Sequence, residues 1–137
     1  MDSALYLDTS VVLRTCLESG TTPEVEIRVR QARILVTSRL SLVEASRAFH
    51  RVRQQGRVAE AELADAERET NALWARCQLW ELTAAVCEMA RNVAPGIALR
   101  SLDALHLATF VLARQRIESI ELLTADERLR SAALAIH

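Results

Sequence analysis

The sequence predicts an α/β fold: a parallel β-sheet of four or five strands with helices on both faces, three layers in all. Short apolar runs, several of them β-branched, alternate with helical patterns along the whole chain. Only two prolines and three glycines interrupt 137 residues, which favours helices joined by short connections. Half of the residues are hydrophobic, enough for a folded core.

Ala4-Leu5-Tyr6-Leu7 reads as a first strand that ends at Asp8. Residues 10–18 read as a helix stopping near Gly20, and Pro23 opens a second helix over residues 24–32. Ile34-Leu35-Val36-Thr37 is a second strand. A long helix opens at Ser38 or Ser41, reaches about Gln55 and ends at Gly56. Residues 59–76, rich in alanine and glutamate, form another helix. Residues 79–82 are a third short strand, and residues 83–93 a helix closed by Pro95-Gly96. Residues 101–114 are apolar nearly all round, so that helix should be buried. Ile120-Glu121-Leu122-Leu123 is a fourth strand, residues 124 to about 133 a last helix, and residues 134–136 are a candidate start for a fifth strand.

No repeat, linker or domain boundary is visible, so residues 1–137 are expected to form one domain. No apolar run reaches the roughly 18–20 residues of a membrane span. Residues 1–8 carry Asp2 and no basic residue, unlike a secretory signal, so the expected location is the cytoplasm. Cys16, Cys77 and Cys87 form no C-x-x-C and no zinc spacing with His50, His106 or His137, and read as reduced, mostly buried thiols. The net charge is −1, but its distribution is uneven: eight arginines and only Glu44 between residues 28 and 57, then seven acids against Arg68 and Arg76 between residues 58 and 88. That asymmetry predicts one basic and one acidic face.

In a parallel sheet, sites form at the carboxyl ends of the strands. Asp8 follows the first strand directly, and Asp126 lies three residues past the end of the fourth. Glu44 sits early in the helix after the second strand, and Asp103 in the first turn of the most apolar helix. Taken singly, each also fits a plain helix-cap role; Ser41-x-x-Glu44 and Thr124-x-x-Glu127 even match capping boxes. Taken together, four acids at one edge are tolerable only with a cation among them. Hard oxygen donors select Mg²⁺, with Mn²⁺ as a substitute, over zinc. Such a site can bind a phosphate and activate water.

Leu7-Asp8-Thr9-Ser10, Ser41-x-x-Glu44, Leu102-Asp103-Ala104-Leu105-His106-Leu107-Ala108 and Leu123-Thr124-Ala125-Asp126 with Leu129 resemble the motifs of PIN-domain nucleases, in order and over residues 5 to about 133. Within that family the sequence is similar to the VapC-type toxins of bacterial toxin–antitoxin pairs. The resemblance implies a sheet of order 3-2-1-4-5, with catalytic and metal-binding acids at Asp8, Glu44, Asp103 and Asp126. It also implies supporting hydroxyls at Ser10 and Thr124, and hydrolysis of RNA to 5′-phosphate and 3′-hydroxyl ends. A cognate antitoxin and a homodimer are the implied partners. The family's fifth strand is short or absent here.

Arg39, Arg47, Arg51 and Arg53 can hold RNA phosphates, meet an acidic antitoxin or form an ordinary solvated helix face. Arg100 can clamp substrate or pair with Asp103. His106, three residues after Asp103, reads as a hydrogen-bonded histidine in a packed helix ahead of a base or ligand. Trp74 and Trp80 read as packing or dimer contacts. Two other readings stay open: an RNA-processing nuclease without an antitoxin, and a non-catalytic protein-binding module on the same fold, although losing acids is its usual sign. A phosphohydrolase needs Asp-x-Asp where Ser10 stands, and both it and a receiver domain need a lysine, which the chain lacks.

Overall fold

The computed structural model describes residues 3–18 and 20–136. Asp2 and His137, both weighed above, lie outside the described residues. Four strands, β1 (Ala4–Leu7), β2 (Ile34–Ser38), β3 (Cys77–Trp80) and β4 (Ile120–Leu123), pair in parallel in the order β3-β2-β1-β4. Seven helices connect and cover them: α1 (Thr9–Cys16), α2 (Pro23–Gln31), α3 (Arg39–Gln55), α4 (Glu60–Arg76), α5 (Ala84–Ala90), α6 (Ser101–Arg114) and α7 (Glu127–Leu134).

The three layers follow from the period of β1. All four of its residues are buried, as a central parallel strand covered on both faces requires. Successive side chains point to opposite faces. Leu5 and Leu7 therefore join one core with Val11, Val12, Val29, Leu35 and Leu73, beneath α1, α2 and α4. Ala4 and Tyr6 join the other with Val36, Leu107, Phe110 and Leu129, beneath α6 and α7. A smaller cluster of Phe49, Leu63 and Ala66 joins α3 to α4. The register places Leu7 opposite Thr37 on one side and Leu123 on the other, so β1 and β4 end level and β2 runs one residue further, to Ser38.

Several boundaries differ from those the sequence predicts. The third strand lies at Cys77–Trp80 rather than residues 79–82: α4 runs straight into it, and Leu35 pairs with Cys77. The capping box at Ser41 does not form. Ser38 caps α3 by accepting from the Leu40 amide at 3.0 Å, while the Ser41 hydroxyl is buried 2.7 Å from that of Thr37. Asp126, not Thr124, caps α7. The helix α6 is buried all round through its middle, from His106 to Phe110, as its apolar pattern predicts, while Leu102 in its first turn is 46% exposed. Cys16 is buried, but Cys77 is only half-buried and Cys87 is exposed. No fifth strand forms among the described residues, so β4 is an edge; α7 continues to Leu134, and Ile136 packs against the Tyr6 core instead. No helix among them is long and apolar enough to cross a membrane.

Gly56 ends α3 in the left-handed region at φ 66°, with its amide donating to the Arg53 carbonyl. An added Cβ there would meet nothing within 4 Å, so a side chain would cost backbone strain alone. Gly56→Ala is expected to lower stability by about 1–2 kcal/mol, read as a lower urea midpoint with an unchanged slope. An unchanged midpoint would show that this helix end frays without consequence.

Candidate active site

The level ends of β1 and β4 create the deepest part of the site. Asp8 follows β1 and caps α1; Thr124 follows β4 and lies beside it, because Leu7 and Leu123 are register partners. Asp8 is 5% exposed. Its Oδ1 accepts from the Ser10 hydroxyl at 2.7 Å and more weakly from the Val11 amide at 3.4 Å; its Oδ2 accepts from the Thr124 hydroxyl at 3.0 Å. Those hydroxyls are themselves held: Ser10 Oγ accepts from the Ala125 amide and Thr124 Oγ1 from the Asp126 amide, each at 3.0 Å. A hydrogen bond to a charged group contributes on the order of 1.5–3 kcal/mol, against a desolvation cost of several kcal/mol for a buried ion. Burial wins: it raises the Asp8 carboxyl above its ordinary value despite the Ser10, Thr124 and Val11 bonds and the opposing pull of His106.

Glu44 enters from the second turn of α3. Its Oε1 accepts from the Thr9 hydroxyl at 2.6 Å and from His106 Nε2 at 2.7 Å. Burial is the largest single influence on this carboxyl and pushes it up. The His106 and Thr9 bonds, with the charges of His106 and Arg100, together outweigh it and hold Glu44 below the ordinary range. Because that carboxylate oxygen only accepts, Nε2 carries a proton. His106 is 2% exposed, and its Nδ1 lies 2.9 Å from the Tyr6 hydroxyl. Desolvation pushes the Tyr6 phenol well above its usual value, so it remains protonated.

Asp103, in the first turn of α6, lies 3.5 Å from Arg100 Nε through Oδ2. Asp126 accepts the Arg128 and Leu129 amides on Oδ1, at 2.9 and 3.1 Å. Asp8, Glu44, Asp103 and Asp126 all line one cavity of about 210 Å³, together with Thr9, Ser10, Leu13, His106, Arg51 and Arg100. Cavities of about 420 and 580 Å³ lie along the edge strands β3 and β4, but their acids are exposed. The four carboxylates of the small cavity offer hard oxygen donors, which suit a divalent cation such as Mg²⁺. Its acids share the cavity rather than a single tight cluster: among the described residues no three His, Cys, Asp or Glu side chains gather closely enough to hold a metal.

Of the arginines singled out, Arg51 and Arg100 reach this cavity. Arg39 instead meets Glu81 through two hydrogen bonds, at 3.1 and 2.6 Å. Arg53 is held between Glu60 and Glu67. Arg47 is exposed on α3, outside the cavity. Between α3 and α4, Arg53 with Glu60 and Glu67 joins the arginine-rich to the acid-rich stretch. Trp74 packs against the Leu5 core, and Trp80 lies under Arg116, 5.8 Å from the ring centre. Thr9 stands inside the motif around Asp8, but no sequence pattern assigns it a role; its contact with Glu44, 35 residues away, comes only from the fold.

Residues 5–134 match the PIN domain family model, and the chain belongs to that family. Its relatives within the family include VapC ribonucleases of Mycobacterium tuberculosis. Ribonuclease VapC49 is 40% identical over 74 residues, 54% of this chain and 51% of that protein. Ribonuclease VapC35 is 37% identical over 101 residues, 74% of this chain and 67% of that protein. The matched part thus spans about half the length of the first relative and two thirds of the second. Among solved structures, PAE2754 from Pyrobaculum aerophilum superposes with a TM-score of 0.65 at 19% identity, covering 95% of this chain and 79% of that one. VapBC2 from Rickettsia felis, solved bound to a promoter DNA fragment, superposes with a TM-score of 0.57 at 10% identity, covering 88% and 97%. These two show the shared fold.

The raised Asp8 carboxyl has a consequence for stability. The destabilising contribution of its charge begins as pH rises past the ordinary aspartate value and is complete above the raised folded value. Asp8→Asn removes that charge. In chelator, it is expected to melt above the parent near neutral pH, with the gap closing toward about pH 4. An equal or lower melting temperature at neutral pH would show that the hydrogen bonds outweigh burial.

Proposed function

We propose that this chain is a divalent-metal-dependent endoribonuclease toxin of the VapC type, held inactive by a cognate antitoxin. The carrying observation is the single cavity at the carboxyl edge of a PIN-domain sheet, lined by carboxylates from four separate parts of the chain. The VapC ribonucleases it resembles support RNA as substrate.

Asp8, Glu44, Asp103 and Asp126 are the residues that would hold the cation, Mg²⁺ or Mn²⁺. Such an ion supplies charge neutralisation at the phosphate and a water acidic enough to attack it, leaving 5′-phosphate and 3′-hydroxyl ends. Ser10 and Thr124 orient Asp8 by donating to opposite oxygens. Arg51 and Arg100, at the cavity wall, draw the RNA backbone toward four acids that would otherwise repel it. An antitoxin arginine placed in the same cavity would satisfy those acids and exclude substrate. A homodimer and a cytoplasmic location complete the proposal.

Outer partners of metal ligands typically cost 10–100-fold when removed, so losing a ligand should exceed roughly 100-fold. Asp8→Asn and Asp103→Asn are each expected to lose at least that much RNA cleavage while retaining native circular dichroism. EDTA should abolish parental cleavage, and added Mg²⁺ or Mn²⁺ should restore it. Undiminished cleavage in excess EDTA would remove the metal mechanism. Expression of the parent should arrest growth, and either substitution should relieve it.

A further inference from the structure

Glu44 is held by more than its own helix. Both hydrogen bonds to it fall on Oε1, from Thr9 at the start of α1 and from His106 in α6. Thr9 Oγ1 and His106 Nε2 are also 3.3 Å apart, so the two donors close a small triangle with the carboxylate oxygen. Behind the imidazole, Tyr6 fixes Nδ1. Tyr6 is fully buried on β1, a strand with neighbours on both sides, and its ring meets His106 and Phe110 edge-on. The chain of contacts thus runs from a buried internal strand, through His106, to one oxygen of one acid.

We propose that His106 is a positioning residue that, with Thr9 and backed by Tyr6, clamps Glu44 Oε1 and leaves Oε2 as the donor for a divalent cation. This rests on the reading of Glu44 as a metal-binding acid. A free glutamate side chain loses rotamer freedom when it binds an ion. One already fixed by two donors loses less, so the clamp raises metal affinity without touching RNA. The imidazole acts through Glu44 and needs no contact with substrate.

The test compares the parent with His106→Asn and His106→Gln. The Gln amide nitrogen reaches about where Nε2 lies and can still donate to Glu44; the Asn amide reaches only about as far as Nδ1. Mn²⁺ affinity is measured by calorimetry without RNA, RNA affinity is measured in EDTA, and kcat and KM are measured in Mn²⁺. His106→Asn is expected to weaken Mn²⁺ binding roughly tenfold or more and to lower kcat, with RNA affinity unchanged. His106→Gln should recover most of the lost Mn²⁺ affinity. If His106→Asn fails to fold, Thr9→Val removes the other donor and should weaken Mn²⁺ in the same direction. Parental Mn²⁺ affinity in a folded His106→Asn or Thr9→Val variant, or Gln no better than Asn, overturns the clamp alone. A parent that binds Mn²⁺ but cleaves no RNA defeats the nuclease reading, while the affinity ratios still judge the clamp. A parent that binds no Mn²⁺ overturns both.

Discussion

The constraint on which this structure turns is a carboxylate driven almost out of water at the end of the central strand. Asp8 is placed there by chain continuity with β1, and β1 is buried because it has neighbours on both sides and helices on both faces. A charge in that position is costly, and three surrounding donors offset only part of the cost. Folding retains it because the same residue caps α1 and receives the Thr124 hydroxyl from the adjoining strand. Cap and site are therefore one arrangement in Asp8, and the same holds for Asp126 at the start of α7. The plain reading of these acids as helix caps and the chemical reading do not compete.

The site has two halves with different characters. Around Asp8 the partners are hydroxyls and backbone amides, neutral groups that steady an anion without cancelling its charge. Around Glu44 they include an imidazole with a guanidinium nearby, which favour the ionised form. The two carboxyls are pushed in opposite directions within one cavity. That pattern belongs with functional sites, where burial and neighbouring charges set neighbouring groups apart.

The fold was legible to the extent that it depends on local periodicity. β1, β4 and α6 lie at the residues their patterns indicate, because each is a short apolar run or a long helical stripe bounded by breakers. The third strand was misplaced because α4 passes into it without a turn signal, and its start is fixed only by pairing with β2. The capping box at Ser41 failed for a similar reason: Ser38 lies at the actual strand-to-helix boundary, which leaves Ser41 to be buried against Thr37. The arginines were the least legible. Arg39, Arg51 and Arg53 stand on one helix with no sequence feature to separate them, yet two are neutralised by acids brought in from other elements.

By itself the sequence determined the α/β class, the order of strands and helices, and four acids at positions that a parallel sheet can bring to one edge. These follow from side-chain period and chain connectivity, which are local. The tertiary structure alone decided which oxygen of Glu44 is engaged, that His106 stands between Tyr6 and Glu44, and which arginines reach the cavity. It also left β4 as an edge among the described residues. Those outcomes depend on pairs more than thirty residues apart meeting within hydrogen-bond distance. No spacing rule along the chain encodes such a meeting; only the packing of the layers fixes it.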